Sequence, residues 1–286
     1  MYSTCLLTDS TACFTRVAYP GQEHVHIIPF SLQAGDEIIP DSNDLTLLSL
    51  PSHTQSHPPL RCLAPSVEAF QQVYHSLGRS YQNIVVILMS SHLSQAVDHA
   101  IQAAGYPNSH AAVHIVDSQT SAIGLGILVQ SAAETLQRGL PAAEITRMVR
   151  GLIQHIYAVF CLPDLSYLAR ADQLDPAQAV IGEMLNVLPL FTMENGSLVH
   201  THKIRSPRHM VDIMFEFIAE FEHLRHLSLL QGVPAFDQES RNIRERIHQN
   251  IRLVPFNEVT LPLSLATILG PRAIGLMAVE STMKGA

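Results

Sequence analysis

Three serines gather where an apolar run stops. In "LMSSHLSQA" (residues 88–96), Ser90 and Ser91 follow Ile84-Val85-Val86-Ile87-Leu88-Met89, and Ser94 opens a segment with helical spacing. A hydroxyl at the first turn of a helix acts together with the unpaired N–H groups of that turn and the positive end of the helix dipole. That combination favours an anion, either a carboxylate or a phosphate. Two further polar clusters follow apolar runs in the same way, Thr8-Asp9-Ser10-Thr11 and Asp117-Ser118. Ser94 reads first as a helix cap that contacts a ligand. Asp9 and Asp117 read first as acceptors that cap helices and bridge loops.

Other chemistries find less support. Gly124-Leu125-Gly126 lacks the third glycine of a dinucleotide site and falls inside a helical pattern. There is no Walker loop. His92 and Asp117 could serve a serine hydrolase, but no Gly-x-Ser-x-Gly elbow accompanies them, and no nucleophile, base and orienting group occur at a known spacing. The chain is therefore expected not to be an enzyme and to carry no cofactor. His200 and His202 could face one side of a strand as metal ligands, yet no third ligand is specified. A net charge of −8 argues against nucleic acid.

Cys5, Cys13, Cys62 and Cys161 are widely spaced, as in a reduced protein. No apolar run reaches 18 residues, and Met1-Tyr2-Ser3-Thr4-Cys5 lacks the basic region of a signal peptide. The expectation is a cytoplasmic protein with no stable membrane insertion.

The elements that must carry these residues alternate through the first half. Strands are expected at 5–7, 26–28, 84–89 and 112–116, with helices at 66–77, 94–104 and 121–136. Such alternation implies a layered α/β/α domain around a mostly parallel sheet, whose carboxyl edge gathers the three polar clusters. Residues 42–63, rich in Ser, Pro, His and Thr, read as a long loop. After residue 160 the pattern changes. A helix at 176–185 precedes a hairpin of strands 187–191 and 198–202, joined by the turn "MENGS" (193–197). Apolar residues at steps of three and four from Met210 to Leu224 predict a helix over 207–226, and a strand closes the pattern at 274–279. The division expected is 1–160 for the first domain and 161–286 for a smaller α/β domain with an antiparallel sheet.

Taken in order, these segments resemble the DegV family of fatty-acid-binding proteins. The resemblance rests on "LTDSTA" (7–12), "IIPFSLQAGDEIIPD" (27–41), "APSVEAF" (64–70), "SSHLSQA" (90–96) and "VDSQTSAIGLG" (116–126). It continues through "LSYLARA" (165–171), "LNVLPLFTMENGSLVHTHKIR" (185–205) and "LGPRAIGL" (269–276). What the resemblance implies is a protein without chemistry of its own that holds one long-chain fatty acid between its two domains. In bacteria with a fatty acid kinase, such a protein presents the carboxylate for phosphorylation.

By the same resemblance the carboxylate sits at the serine-rich junction, with Ser94, Gln95 and Ser91 as contacts. Several positions depart from the family pattern. Cys62 replaces a head-group threonine, and Gln95 replaces the glycine after Ser94. Ile268 replaces a head-group histidine, while Arg272 replaces the last glycine of His-x-Gly-Pro-Gly and is expected to stand in as the carboxylate's partner. Ala171-Asp172-Gln173 replaces Gly-Gly-Arg and loses an arginine tied to kinase docking. The alternative is a related fold repurposed as an enzyme on another small acid, or as a binder of one.

Overall fold

The computed structural model describes residues 2–34, 36–40, 60–106, 111–185, 188–233, 235–251 and 254–281. The chain opens with strands β1 (Tyr2–Asp9), β2 (Val25–Ile28), β3 (Ser31–Ala34), β4 (Glu37–Pro40) and β5 (Leu60–Leu63). Helix α1 (Val67–Gly78), strand β6 (Tyr81–Leu88), helix α2 (Ala96–Ala104), strand β7 (Ala112–Asp117), and helices α3 (Ala122–Gln137) and α4 (Ala142–Ile153) follow. Next come β8 (Ile156–Cys161), α5 (Ser166–Arg170), α6 (Pro176–Met184), β9 (Leu188–Glu194), β10 (Ser197–Ile204) and α7 (Pro207–Ala219). The order ends with β11 (Leu224–Gln231), α8 (Asp237–Asn250), β12 (Phe256–Thr260), α9 (Leu263–Leu269) and β13 (Ile274–Glu280). The chain divides into two compact units, one built mainly of 1–32 and 62–154, the other mainly of 155–286.

The first unit is built on a wholly parallel sheet in the order β2-β1-β6-β7. Ile84, Val85, Val86, Ile87 and Leu88 of β6 are all buried, so both faces of the strand are covered. The cover comes from two helix pairs, α1 with α2 and α3 with α4. Helix α1 forms where the sequence reading places it. Ser66 is its N-cap, accepting the Ala69 N–H at 3.2 Å, and Phe70 and Tyr74 bury one face. The second glycine of the α3 pair has a packing role: a Cβ at Gly126 would stand 2.0 Å from the Cys13 carbonyl oxygen, so the helix runs against that backbone only as glycine.

The second unit carries a six-stranded sheet, β10-β9-β8-β13-β11-β12, antiparallel at every pair except the parallel β11 and β12. The hairpin of β9 and β10 turns on Asn195 (φ 50) and Gly196 (φ 86), the left-handed pair that a two-residue loop requires. A register shift between His200 and His202 breaks the alternation that would have aligned the two rings on one face. One face of the sheet packs on Met210, Val211, Met214 and Ile218 of α7 and on Ile243 and Ile247 of α8. Each such buried side chain contributes about 1.5–3 kcal/mol.

Two expectations are corrected. The helix over 207–226 ends at Ala219, and Leu224 opens strand β11. Phe221 and Leu224 keep the helical spacing because a turn and a returning strand pack on the same core as α7. The loop over 42–63 lies outside the described residues except at its end, where Leu60–Leu63 forms β5 in a three-stranded sheet, β4-β3-β5. Among the described residues no helix is long and apolar enough to cross a membrane.

Candidate functional site

The order β2-β1-β6-β7 makes the carboxyl ends of β1 and β6 the point where the chain leaves the sheet in opposite directions. Open α/β sheets bind ligands at such switch points. Here the two ends are tied by one carboxylate. Asp9, fully buried, accepts the Met89 N–H on Oδ2 at 2.7 Å, and on Oδ1 the N–H of Thr11 at 2.9 Å together with its hydroxyl. Burial pushes the Asp9 carboxyl above its ordinary value, while the Thr11 hydroxyl and the Met89 and Thr11 N–H groups pull it down.

The turn from Met89 to Ala96 is nearly closed upon itself. Ser90 N–H donates to the Thr120 carbonyl at 2.9 Å. Asp117 takes the Ser91 N–H at 3.2 Å, the Ser91 hydroxyl, and the Gln119 N–H at 2.9 Å. His92 N–H donates to Ser90 Oγ at 3.2 Å, and the N–H groups of Leu93 and Ser94 both reach the Ser90 carbonyl. Ala96 N–H donates to Ser94 Oγ at 3.3 Å. In this run the Gln95 N–H is the one backbone donor with no acceptor among the described residues, and the hydroxyl hydrogen of Ser94 beside it has none there either.

This arrangement corrects one detail. The N-cap of α2 is Gln95, not Ser94, because the Ser94 hydroxyl folds back onto Ala96 N–H and the helix starts one residue later. Asp9 and Asp117 act as the loop-bridging acceptors that they first read as. Gln95 is exposed and Ser94 half-buried, at the start of a nine-residue helix whose dipole is positive at that end.

The remaining candidates sit elsewhere. Cys62 is half-buried in β5. Ile268 is buried in α9, all seven residues of which are buried. Arg272 is half-buried in the turn before β13, its guanidinium over the Phe236 ring at 5.7 Å. No signal in the sequence marks Phe236, since it stands 36 positions from the arginine that it supports. Asp172 has φ 56 where the resemblance expects a glycine, so the chain keeps the left-handed turn with a residue that tolerates it. Among the described residues no three His, Cys, Asp or Glu side chains gather as a metal site.

The fold as a whole has counterparts among known proteins. A Staphylococcus aureus DegV domain-containing protein is 25% identical over 288 residues, covering 98% of this chain and all of that protein. Among solved structures, a fatty-acid-binding DegV family protein from Thermus thermophilus superposes with a TM-score of 0.83 at 22% identity, over 98% of this chain and 100% of that one. The Streptococcus pneumoniae fatty acid kinase B3 protein, loaded with linoleic acid, gives 0.82 at 14% identity with the same coverage. The profile of the DegV family of uncharacterised proteins matches residues 3–281, and with that match the chain belongs to the DegV family.

Proposed function

We propose that the protein binds one long-chain fatty acid and performs no chemistry on it. The carboxylate is seated by the Ser94 hydroxyl and the Gln95 N–H, with the acyl chain running between a first domain (1–160) and a second (161–286). Ile268 lines the apolar path and Cys62 stands near the head group. Ser91, its hydroxyl held by Asp117, shapes the turn around the seat. One observation carries the reading: in a turn where the other backbone donors are engaged, the Gln95 N–H is not, and it adjoins the Ser94 hydroxyl at the positive end of a helix. Adjacent donors with a favourable potential suit a carboxylate. The names of the Thermus and Streptococcus neighbours point to the same ligand class.

In this reading the protein is a cytoplasmic carrier, and its partner is a fatty acid kinase, reached without the family's arginine at Gln173. The tail supplies most of the affinity, about 0.8 kcal/mol per buried methylene. Solvent extraction of the purified protein followed by mass spectrometry is expected to release a long-chain acid. Paired titration then assigns the head group. Ser94→Ala is expected to weaken oleate by about tenfold or more, the size of one charge-assisted hydrogen bond, and to leave oleyl alcohol nearly unchanged. Equal losses for both ligands, or none, would remove the carboxylate from Ser94.

A further inference from the structure

The second unit has a cleft whose charges are left over. Helices α7 and α8 pack on one face of its sheet, and residues of these two helices alone line a cavity of about 580 Å³. That is the size of a small-molecule site, about 300–1,000 Å³. The lining is polar, in contrast to the core stripe of the same helices. Arg208 and buried Val211 come from α7, and Gln238, Glu239, Asn242 and Arg246 from α8.

Two of these charges have no partner. Among the described residues neither the Arg208 guanidinium nor the Glu239 carboxylate forms an ion pair, although both line the one cavity. Other arginines of the chain find carboxylates, Arg16 with Glu134 and Arg244 with Glu258. Helix stability does not account for Arg208. It is the second residue of α7, at the positive end of the dipole, and no acid stands in that first turn to offset it. Glu239 suits the first turn of α8, and its oxygens stay open to a donor.

The remaining polar groups of the cleft are fixed. Arg246 Nη2 donates to Asp212 Oδ1 at 2.6 Å, and its guanidinium lies over the Phe215 ring at 5.8 Å. Gln238 Nε2 donates to Asn242 Oδ1 at 3.1 Å, which leaves the carbonyl oxygen of Gln238 and the N–H groups of Asn242 for another molecule. The cleft thus offers cationic donors, an anionic acceptor and amides of both kinds. A polyanion would meet Glu239, and a simple cation would meet two arginines. A ligand with one carboxylate and one ammonium satisfies both signs.

We propose that the α7–α8 cleft binds a small zwitterion, of the class of a free amino acid or short peptide, with its carboxylate on Arg208 and its ammonium on Glu239. The site belongs to the second unit alone and does not rest on the lipid reading.

The test is calorimetric titration of the full chain with three probes. These are the dipeptide alanyl-leucine, its C-terminal amide, which lacks the carboxylate, and its N-acetyl form, which lacks the ammonium. The dipeptide is expected to bind saturably, and each half-charged analogue about three- to tenfold more weakly, the size of one charge-assisted contact at a partly exposed site. Arg208→Gln is expected to erase the penalty for the amide and keep that for the acetylated form. Glu239→Gln is expected to do the reverse. A general loss of fold does not give this crossed pattern. The proposal is overturned if the dipeptide does not bind, if all three probes bind alike, or if both penalties persist in both variants. Tightest binding by the acetylated form would make the cleft an anion site and overturn it as well.

Discussion

Asp9 and Ser94 illustrate two ways in which a residue can matter to a site. Asp9 touches no proposed ligand, yet its oxygens hold the ends of β1 and β6 together through Thr11 and Met89. In Asp9→Asn one of those oxygens becomes an amide facing an N–H. Leaving a buried donor without an acceptor costs about 1–3 kcal/mol. Urea unfolding is expected to show that loss for Asp9→Asn and less than about 1 kcal/mol for Ser94→Ala, whose hydroxyl accepts one long bond at the surface of the turn. Equal stabilities would mean that Asp9 does not brace the switch point. Cysteine chemistry gives a second test. Burial pushes the Cys5, Cys13 and Cys161 thiols up to about 12. At pH 8 roughly one in ten thousand of each is a thiolate, the reactive form. Iodoacetamide is therefore expected to reach half-buried Cys62 first and to leave the other three unmodified until denaturant is added. Alkylation of Cys13 at the Cys62 rate, read by intact mass, would contradict this.

The elements differ in how plainly the sequence announces them. Strand β6 is legible because a parallel strand covered on both faces must be apolar throughout, as Ile84 to Leu88 are. Helix α1 is legible because Ser66 caps it and Phe70 and Tyr74 recur four apart. The hairpin turn is legible because Asn195-Gly196 suits both left-handed positions. Gly196→Ala is therefore expected to destabilise by about 1–2 kcal/mol in thermal unfolding, while Gly139→Ala, also left-handed but with open space around it, is expected to cost no more than that backbone strain. A neutral Gly196→Ala would mean that the hairpin closes differently. Strand β11 was hidden, since Leu224 continues the spacing of α7 on the same core. Helix α8 was hidden for the opposite reason, with only Ser240, Ile243 and Ile247 buried among its fourteen residues.

For the whole molecule, what the sequence conceals is pairing over distance. The serine turn could be picked out as a site, but not which of its donors would be left over. That depends on Asp9, eighty positions away, and on Asp117 and Thr120 from the end of β7. The same holds for Arg272, whose support on Phe236 and Gly232 is a matter of two loops meeting. The sheet of the second unit extends this logic to the order of synthesis. Its last strand in the chain, β13, is not at an edge but in the middle, between β8 and β11. Until residues 274–280 have left the ribosome, β8-β9-β10 and β11-β12 are separate ribbons, each with a bare edge facing a gap. Nascent chains halted before that point would carry two unpaired edges of the kind that invites association with other chains. The first unit, whose strands are complete by Asp117, has no such wait, and a ribosome stalled midway through this message would display one finished sheet and one unfinished.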